Sequence, residues 1–381
     1  MLFSEKFMKL SVILGICMLV IIALKIGTID FIYTDMMKPK QAMLDAHEQD
    51  ETKWITYYES LVNEARFNYT PYNLKEHNCD EQFYSKMKEN MKTVLNYPVI
   101  TRMKQQYFDI YQTFQNYVNF GNKSEKYPVV VTASSSNRFA RSLAMIKSVK
   151  ENLLPVYKEM QFIFFDLGLS KEELSSVKKF CNCEIRHFPF HEYPPFVSQL
   201  FNYAWKPIII YMMLREFNFV MWADASFNFN GNKQATDNFF LTAKETGILG
   251  QRLDDNFRSY FYTKKETFRY LNETPCLFYL SLIEASCITI WKTPFTWKYI
   301  VQPWLACTLT ENCMSHPDPQ AVLPCKQKDT PHWCHRFDQS VLSIILQRLF
   351  NKNIDLVNFN RLPTIGQVNR DQKLLLRSLS T

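Results

Sequence analysis

The chain has 381 residues, of which 47% are hydrophobic and 21% charged, a composition that supports a folded core and excludes disorder throughout the chain. The net charge of +7 is modest, and the basic residues are scattered rather than gathered into a stripe with interleaved aromatics. The sequence therefore predicts no nucleic-acid partner.

The N-terminus carries an apolar segment, with fifteen uncharged residues between Lys9 and Lys25. Lysines at both ends can reach the membrane surface, which lengthens the usable span. We expect residues 9–29 to form an uncleaved transmembrane signal anchor behind a cytoplasmic tail, residues 1–8. A cleaved signal peptide is the alternative, but the segment lacks a good cleavage site. The expectation is a single-pass type II protein of the Golgi or endoplasmic reticulum membrane, with the bulk of the chain lumenal.

Cysteines and glycosylation sequons agree with a lumenal location. Nine of the ten cysteines follow the predicted span, which favours disulfides over free thiols. Cys307 and Cys313 could close a small loop, as could Cys325 and Cys334, and an odd total leaves at least one thiol free or intermolecular. The alternative is that the cysteines are buried and reduced. The N-x-[ST] sequons are at Asn68, Asn122 and Asn272.

The composition changes near residue 126. Residues 30–125 are polar and nearly free of glycine, so they are predicted to be a stem, helical around 40–65 and 80–118, without chemistry of its own. Residues 126–365 are predicted to be the catalytic domain and residues 366–381 a C-terminal tail.

Apolar strands alternate with helices after this boundary, which predicts an α/β fold with a mainly parallel sheet flanked by helices. The predicted strands are 128–132, "QFIFFDLGLS", "CEIRHFPF" and "NFVMWA". The predicted helices are "RFARSLAMIKSVKENL", residues 171–180 with a Ser170/Glu173 capping box, and "AWKPIIIYMMLREF" with Pro207 in its first turn.

Polar residues follow three of these strands. The first strand leads into 132–137 and the second ends in 166–170. The fourth ends at Asp224, with Ser226 two residues later. In open α/β sheets ligands bind beyond the carboxyl ends of the strands, so we expect these groups to border one site.

The segment Asp224-Ala225-Ser226 resembles the D-x-D motif of sugar-nucleotide transferases with the GT-A fold. The resemblance implies a divalent cation, usually manganese, held against the diphosphate of the donor. Ser226 replaces the second acid and is a poorer ligand. The alternative is that Asp224 only caps the following turn.

Within residues 332–349, His335 and Asp338 precede a stretch that is predicted to be a clearly amphipathic helix. The segment Asp338-Gln339-Ser340 resembles the D-Q motif of retaining GT-A families. The resemblance implies that Asp338 holds an acceptor hydroxyl or stabilises an oxocarbenium-like centre. His335 is the candidate third metal ligand. The alternatives are an ordinary acid at a helix start and a surface or stacked histidine. Glu284 and Ser286 lie in a stretch that often forms the acceptor side of this fold.

A zinc site is the rival interpretation of Cys181, Cys183, His187 and His191, but their spacing is not a standard zinc spacing.

Four segments, "FFDLGLS", "AWKPIII", "MWADASFNF" and "CHRFDQS", carry a wider resemblance over roughly 127–350. The chain resembles a GT-A glycosyltransferase with type II topology and, more closely, a nematode-expanded family of uncharacterised proteins. The broader class implies transfer of a sugar, with UDP as the expected nucleotide carrier, to a glycan or glycoprotein. A non-catalytic binding protein on the same fold is the alternative. The implied nucleotide-lining residues are Thr132, Ala133 and Ser134.

Overall fold

The computed structural model describes residues 51–64, 87–118, 126–254, 256–323, 325, 331–332, 334–358 and 364–369. The predicted cytoplasmic tail and signal anchor, as well as Asn68 and Asn122, lie outside these ranges. Within the described ranges, no helix combines the length and the apolar character needed to cross a membrane.

In the described ranges, helices and strands both occur from residue 129 onward, and the elements before residue 129 are helices. The α-helices are α1 Glu51–Glu64, α2 Met87–Leu95, α3 Pro98–Gln106, α4 Phe108–Gln115, α5 Phe139–Asn152, α6 Lys171–Phe180, α7 Trp205–Leu214, α8 Lys233–Thr246, α9 Lys265–Leu271, α10 Gln302–Leu309 and α11 Phe337–Phe350. The strands are β1 Val129–Ser134, β2 Phe162–Asp166, β3 Glu184–His187, β4 Phe219–Ala223, β5 Phe227–Phe229, β6 Ile248–Arg252, β7 Ile283–Trp291 and β8 Gly366–Val368.

A six-stranded sheet in the order β3-β2-β1-β4-β7-β6 forms the centre of the described structure. Strands β1 to β4 run parallel, while β7 is antiparallel to both β4 and β6. The chain therefore has a mixed α/β fold with a mainly parallel sheet, as the strand and helix pattern predicts. The antiparallel strands β6 and β7 are not part of that prediction. Strands β5 and β8 form a separate two-stranded sheet.

Strand β1 shows why these segments become interior strands. All six of its residues are buried. Val131 and Ala133 pack into one hydrophobic cluster, and Val130 packs into the cluster on the opposite face. A strand covered on both faces needs apolar residues at every position rather than at alternate ones. Helix α6 starts at the predicted residue, with both hydrogen bonds of the Ser170/Glu173 capping box present.

Helices α7 and α11 are buried almost all round. Nine of the ten residues of α7 and twelve of the fourteen of α11 are buried. The expectation that α11 is a clearly amphipathic helix is wrong, because it packs against β7, α10 and α2 and exposes no polar face. The ends of these two interior helices can therefore hold charged groups inside the molecule.

Helices α2 to α4 belong to the same core as the sheet. Met91, Val94, Ile100 and Phe114 lie in the larger hydrophobic cluster together with β1 and β4 residues. The compact unit spans residues 49–381. Residues 87–115 are therefore part of the globular body, whereas the predicted stem of residues 30–125 treats them as a spacer.

Helix α1 docks through the aromatic side chains of Tyr57 and Tyr58, and the Tyr57 hydroxyl donates to the Glu245 carbonyl oxygen at 3.0 Å. The hydroxyl of Tyr58 donates to the Thr246 carbonyl oxygen at 3.1 Å, and its ring stacks on Phe295 with 3.9 Å between centroids. Gly247 follows α8 with a φ of +71°, and a Cβ there would collide with the Tyr58 hydroxyl at 2.0 Å. Both the backbone angle and the close approach therefore require glycine at this position.

Disulfides form in the C-terminal half as predicted, joining Cys307 to Cys313 and Cys325 to Cys334. A further disulfide joins Cys181 to Cys183, so these sulfurs are not available for the rival zinc site. Among the described residues, the buried Cys287 is the free cysteine.

Candidate active site

Two clefts adjoin each other beyond the carboxyl ends of β1 and β4. The larger encloses about 390 Å³ and is lined by residues that follow β1 and β4. The smaller encloses about 120 Å³ and lies between the end of β4, the start of β7 and the first turn of α11. Both clefts are bordered by Tyr203, Asp224, Ser226 and Arg336.

A buried lysine connects the two predicted acids. The Nζ atom of Lys206 lies 2.9 Å from Oδ1 of Asp224 and 2.8 Å from Oδ2 of Asp338. It also donates to the carbonyl oxygen of Ala285 at 3.2 Å. Lys206 sits in the first turn of the apolar helix α7, and only 3% of the residue is exposed. A charge buried this deeply requires close partners of opposite sign, and both aspartates provide them.

Asp224 is held in place on one side only. Its Oδ1 atom accepts from the indole Nε1 of Trp222 at 2.7 Å as well as contacting Lys206. Its backbone N–H donates to the Ser286 carbonyl oxygen at 2.8 Å, and its own carbonyl accepts from Phe227. The side chain remains 30% exposed. The carboxylate is thus fixed at the mouth of both clefts while part of it faces solvent.

Asp338 occupies the first turn of α11, where the positive end of the helix favours a carboxylate. Burial raises the pKa of Asp338, and the pull of Lys206 in the opposite direction does not cancel this effect. Burial by itself would lower the pKa of Lys206, but Asp224 and Asp338 outweigh it and the pKa lies above its ordinary value. Lys206 therefore stays protonated, and Asp338 takes up a proton more readily than an exposed aspartate does.

The two clefts differ in charge. Three guanidinium groups, those of Arg138, Arg141 and Arg336, line the larger cleft beside a single acid, Asp224. The smaller cleft has two cations, Lys206 and Arg336, with three acids. Its acids are Asp224, Glu284 and Asp338. An anionic group is accordingly favoured in the larger cleft, and neutral hydroxyl groups suit the smaller one.

The predicted nucleotide-lining residues divide by their distance from the carboxyl end of β1. Ala133 and Ser134, the last two residues of the strand, border the larger cleft. Thr132 lies one residue further back, is fully buried in the sheet and does not line the cleft. Ser226 borders both clefts, and Glu284 and Ser286 border the smaller one, as their place in the predicted acceptor stretch implies.

His335 is not brought to Asp224. Its Nε2 contacts the Met314 carbonyl oxygen at 2.8 Å, and its Nδ1 accepts from the backbone N–H of Lys264 at 3.5 Å. Burial, followed by the charge of Lys264, lowers the pKa of this fully buried ring well below its ordinary value. Both nitrogens are engaged by the backbone, so the structure does not support the predicted role of His335 as a metal ligand.

The implied divalent cation does not fit between the two aspartates. The ammonium group of Lys206 already occupies the position between them. Nowhere in the described part of the chain do three or more His, Cys, Asp or Glu side chains converge in a way that could hold a metal ion. A metal bound by Asp224 alone, with the Ser226 hydroxyl, would lack the carboxylate-rich ligand set that hard cations prefer.

Lys206 and the three arginines of the clefts are site residues that were not predicted from the sequence. Lys206 is the one charged residue in "WKPIIIYMML", and a lone charge in an otherwise apolar helix signals either a helix end or a buried ion pair. Arg138 and Arg141 follow β1 directly, at the edge of the sheet where ligands bind. That position is the signal that could have identified them.

Comparisons with known proteins give one family and several structures. Residues 104–211 match the model of a family described as "Protein of unknown function (DUF1647)". A comparison with curated proteins gives no match.

Among the solved structures to which the chain is similar are glycosyltransferases. They include the bifunctional WbbM in its apo structure, with 13% identity, a TM-score of 0.35, and coverage of 50% of this chain and 37% of that chain. The galactosyltransferase LgtC, in complex with donor and acceptor sugar analogs, has 14% identity, a TM-score of 0.29, and coverage of 58% and 70%. Core-mannan synthase A from Aspergillus fumigatus, in a Mn/GDP form, has 10% identity, a TM-score of 0.39, and coverage of 68% and 84%. All three TM-scores lie below 0.5, so the site is interpreted from this chain's own residues.

Proposed function

We propose that the chain is a glycosyltransferase that moves a sugar from a nucleotide-sugar donor to a glycan or glycoprotein acceptor. The observation that supports this most strongly is the meeting of Asp224 and Asp338 at Lys206. The two acids come from different elements, the end of β4 and the start of α11, and both border the smaller cleft. A binding surface or structural core would not require two acids at the junction of a basic and an acidic cleft.

The donor nucleotide is placed in the larger cleft. Its volume of about 390 Å³ lies within the range of small-molecule sites. Ala133 leaves room for a base or ribose, Ser134 and Ser135 offer hydroxyl groups, and the arginines favour the diphosphate. UDP is our expected nucleotide, with GDP as the second candidate.

The transferred sugar and the acceptor hydroxyl are placed at the smaller cleft. Carboxylates accept hydrogen bonds from sugar hydroxyls and stabilise positive charge that develops at an anomeric carbon. Asp338 faces this space from α11, Asp224 from the mouth, and Glu284 from β7. In the transfer step the acceptor oxygen bonds to the anomeric carbon on the face from which the sugar–phosphate bond breaks. The electron pair of that bond leaves with the nucleoside diphosphate, whose phosphate oxygen takes up the proton of the acceptor hydroxyl. The D-Q resemblance makes retention of the anomeric configuration our expected stereochemistry.

The predicted manganese ion is assigned no step in this reaction, because the residues do not provide its ligand set. A non-catalytic protein that binds glycans or nucleotide sugars is the second candidate. The observation in its favour is that Lys206 neutralises part of the charge of both acids. Both candidate functions predict that the chain binds a nucleotide sugar or glycan, but only the glycosyltransferase predicts turnover of the donor.

We also propose a lumenal location for the globular unit in the Golgi or endoplasmic reticulum. Disulfides and the exposed sequon Asn272 support it. Digestion of the expressed protein with an endoglycosidase should shift its mobility. Absence of a shift, together with protease access to the globular unit in sealed vesicles, would contradict the location.

A donor screen tests the enzymatic function. The full chain, purified in detergent, is incubated with UDP-sugars and GDP-sugars in the presence of a mixture of glycan acceptors, and nucleotide release is measured. We expect release from one donor class that increases when acceptor is added. Asp338→Ala should abolish it, and Asp109→Ala, at an exposed position on α4, is the matched control. Nucleotide binding without any release would favour the non-catalytic candidate.

A further inference from the structure

The position between Asp224 and Asp338 belongs to a side chain of this protein. Lys206 contacts both carboxylates within 3 Å and is almost completely buried. It is anchored further by the Ala285 carbonyl oxygen and lies 5.6 Å from the ring centroid of Trp222. A divalent cation could enter this position only by expelling an ammonium group that burial has already deprived of water.

The charge needed to hold a diphosphate lies instead in the neighbouring cleft. Arg138 and Arg141 come from the turn after β1 and the first turn of α5, and Arg336 comes from the residue before α11. Among the described residues, no carboxylate forms an ion pair with the guanidinium group of Arg138. Guanidinium groups bind phosphate oxygens in pairs of parallel hydrogen bonds and keep their charge at every physiological pH.

The helix that follows Arg138 adds to this effect. Helix α5 begins at Phe139, directly after the cleft residue Arg138, so the positive end of its dipole lies beside the larger cleft. The cleft thus combines three fixed side-chain cations with a favourable helix end, and its single acid, Asp224, is already paired with Lys206.

We infer that this chain binds the nucleoside diphosphate without a divalent cation, with Arg138, Arg141 and Arg336 carrying the charge that a metal carries in D-x-D transferases. Lys206 holds Asp224 and Asp338 in place and takes up one carboxylate oxygen of Asp224, the acid that the D-x-D resemblance assigns to the metal. The inference rests on the proposed function, since it concerns the same donor site. It also explains why Ser226 can stand at the second position of the D-x-D pattern, because no second carboxylate ligand is needed there.

Calorimetric titration of the full chain with UDP and with GDP tests the inference, once in excess EDTA and once in excess manganese. We expect one of the nucleotides to bind in both, with dissociation constants that differ by less than about threefold. Arg138→Gln and Arg141→Gln should each weaken binding in EDTA by about tenfold or more, since each removes charge-assisted hydrogen bonds. Arg138→Lys should recover part of the loss. Arg215→Gln, which removes an exposed arginine that lines neither cleft, is the control and should bind like the wild type.

The outcomes separate the inference from the function. Binding that appears only with manganese overturns the inference and leaves the glycosyltransferase proposal standing. Unchanged binding by Arg138→Gln and Arg141→Gln also overturns it. If neither nucleotide binds in either condition, both the inference and the proposed donor site are wrong. Thermal melting of each variant confirms that a loss of binding is not a loss of folding.

Discussion

Two buried charge networks among the described residues differ in balance and in access. In the first, Glu273 accepts hydrogen bonds from the guanidinium group of Arg348, at 2.8 Å from Nε, and from the hydroxyl of Tyr97 at 2.6 Å. One anion meets one cation, and neither Glu273 nor Arg348 lines either of the two clefts of the candidate site. In the second, Lys206 is shared between Asp224 and Asp338 at the junction of those clefts.

The difference indicates which network serves folding and which serves chemistry. In the first network the charges of Glu273 and Arg348 are matched inside the protein, and Tyr97 links this pair to the N-terminal helices. A network with two acids and one cation has an excess of negative charge, and here the carboxylates that carry this excess border a cleft. Perturbed ionisable groups in a cleft are typical of functional sites, and the raised pKa of Asp338 is such a perturbation.

The largest expected effect is on stability, at the balanced network. Glu273→Ala leaves the Arg348 guanidinium buried without its counter-ion, which should lower the free energy of unfolding by about 3–5 kcal/mol. Asp338→Ala leaves Lys206 paired with Asp224 and removes a carboxylate whose burial is unfavourable, so its cost should stay below about 2 kcal/mol. Urea unfolding of both variants measures the contrast. Equal losses in the two would remove the distinction between the networks.

The next effect is on activity, at the shared network. Asp224→Ala should lower the transfer rate by about a hundredfold or more, equivalent to roughly 3 kcal/mol of transition-state stabilisation. Alanine is preferred to asparagine here, because asparagine at 224 would create an Asn-Ala-Ser glycosylation sequon. Melting temperature is measured in parallel. If Asp224 only caps a turn, the variant will turn over near the wild-type rate.

A smaller effect is expected at Ser226. Ser226→Ala should reduce transfer by less than about tenfold, because a hydroxyl at the border of the clefts contributes at most one neutral hydrogen bond. Initial rates at saturating donor, compared with those of Asp224→Ala, give the ranking. A loss as large as that of Asp224→Ala would mean that the second position of the D-x-D-like segment is as important as the first.

The smallest effect concerns pH and lies outside both networks. The pKa of His335 is lowered on folding, so below about pH 6.5 the unfolded chain binds a proton that the native chain does not. Stability should therefore fall with decreasing pH by up to roughly 1 kcal/mol per pH unit for this proton. The pKa of His332 is lowered too, mainly by burial, and adds a loss in the same direction. His335→Gln should flatten the slope between about pH 6.5 and pH 5 in unfolding experiments, and an unchanged slope would show that another group is responsible.

Much of the first half of the α/β unit is predictable because its signals are local. The Ser170/Glu173 box marks the start of α6, Pro207 lies in the first turn of α7, and the apolar run before Asp224 ends at the predicted position. Each depends on neighbouring residues alone, so tertiary structure does not override it.

The structural features that could not be predicted from the sequence depend on contacts with residues far away in the chain. Helix α11 reads as amphipathic but is enclosed by elements from both ends of the unit. The direction of the His335 ring is set by Met314 and Lys264, which no spacing rule connects to it. From the sequence alone, Lys206 is only a residue of a core helix. Its contacts with Asp224 and Asp338 become apparent in the structure. The same long-range pairing brings the N-terminal helices into the core, against the prediction of a separate stem.

Turnover by Asp338→Ala tests the central claim most directly, because this residue joins the shared network to the smaller cleft. Nucleotide release from the preferred donor, with acceptor present, is compared between the wild-type full chain and Asp338→Ala at a temperature where both are folded. We predict that the variant releases nucleotide at about one hundredth of the wild-type rate or less, with a melting temperature close to that of the wild type. Wild-type turnover in a folded Asp338→Ala variant would contradict the assignment of this site to glycosyl transfer.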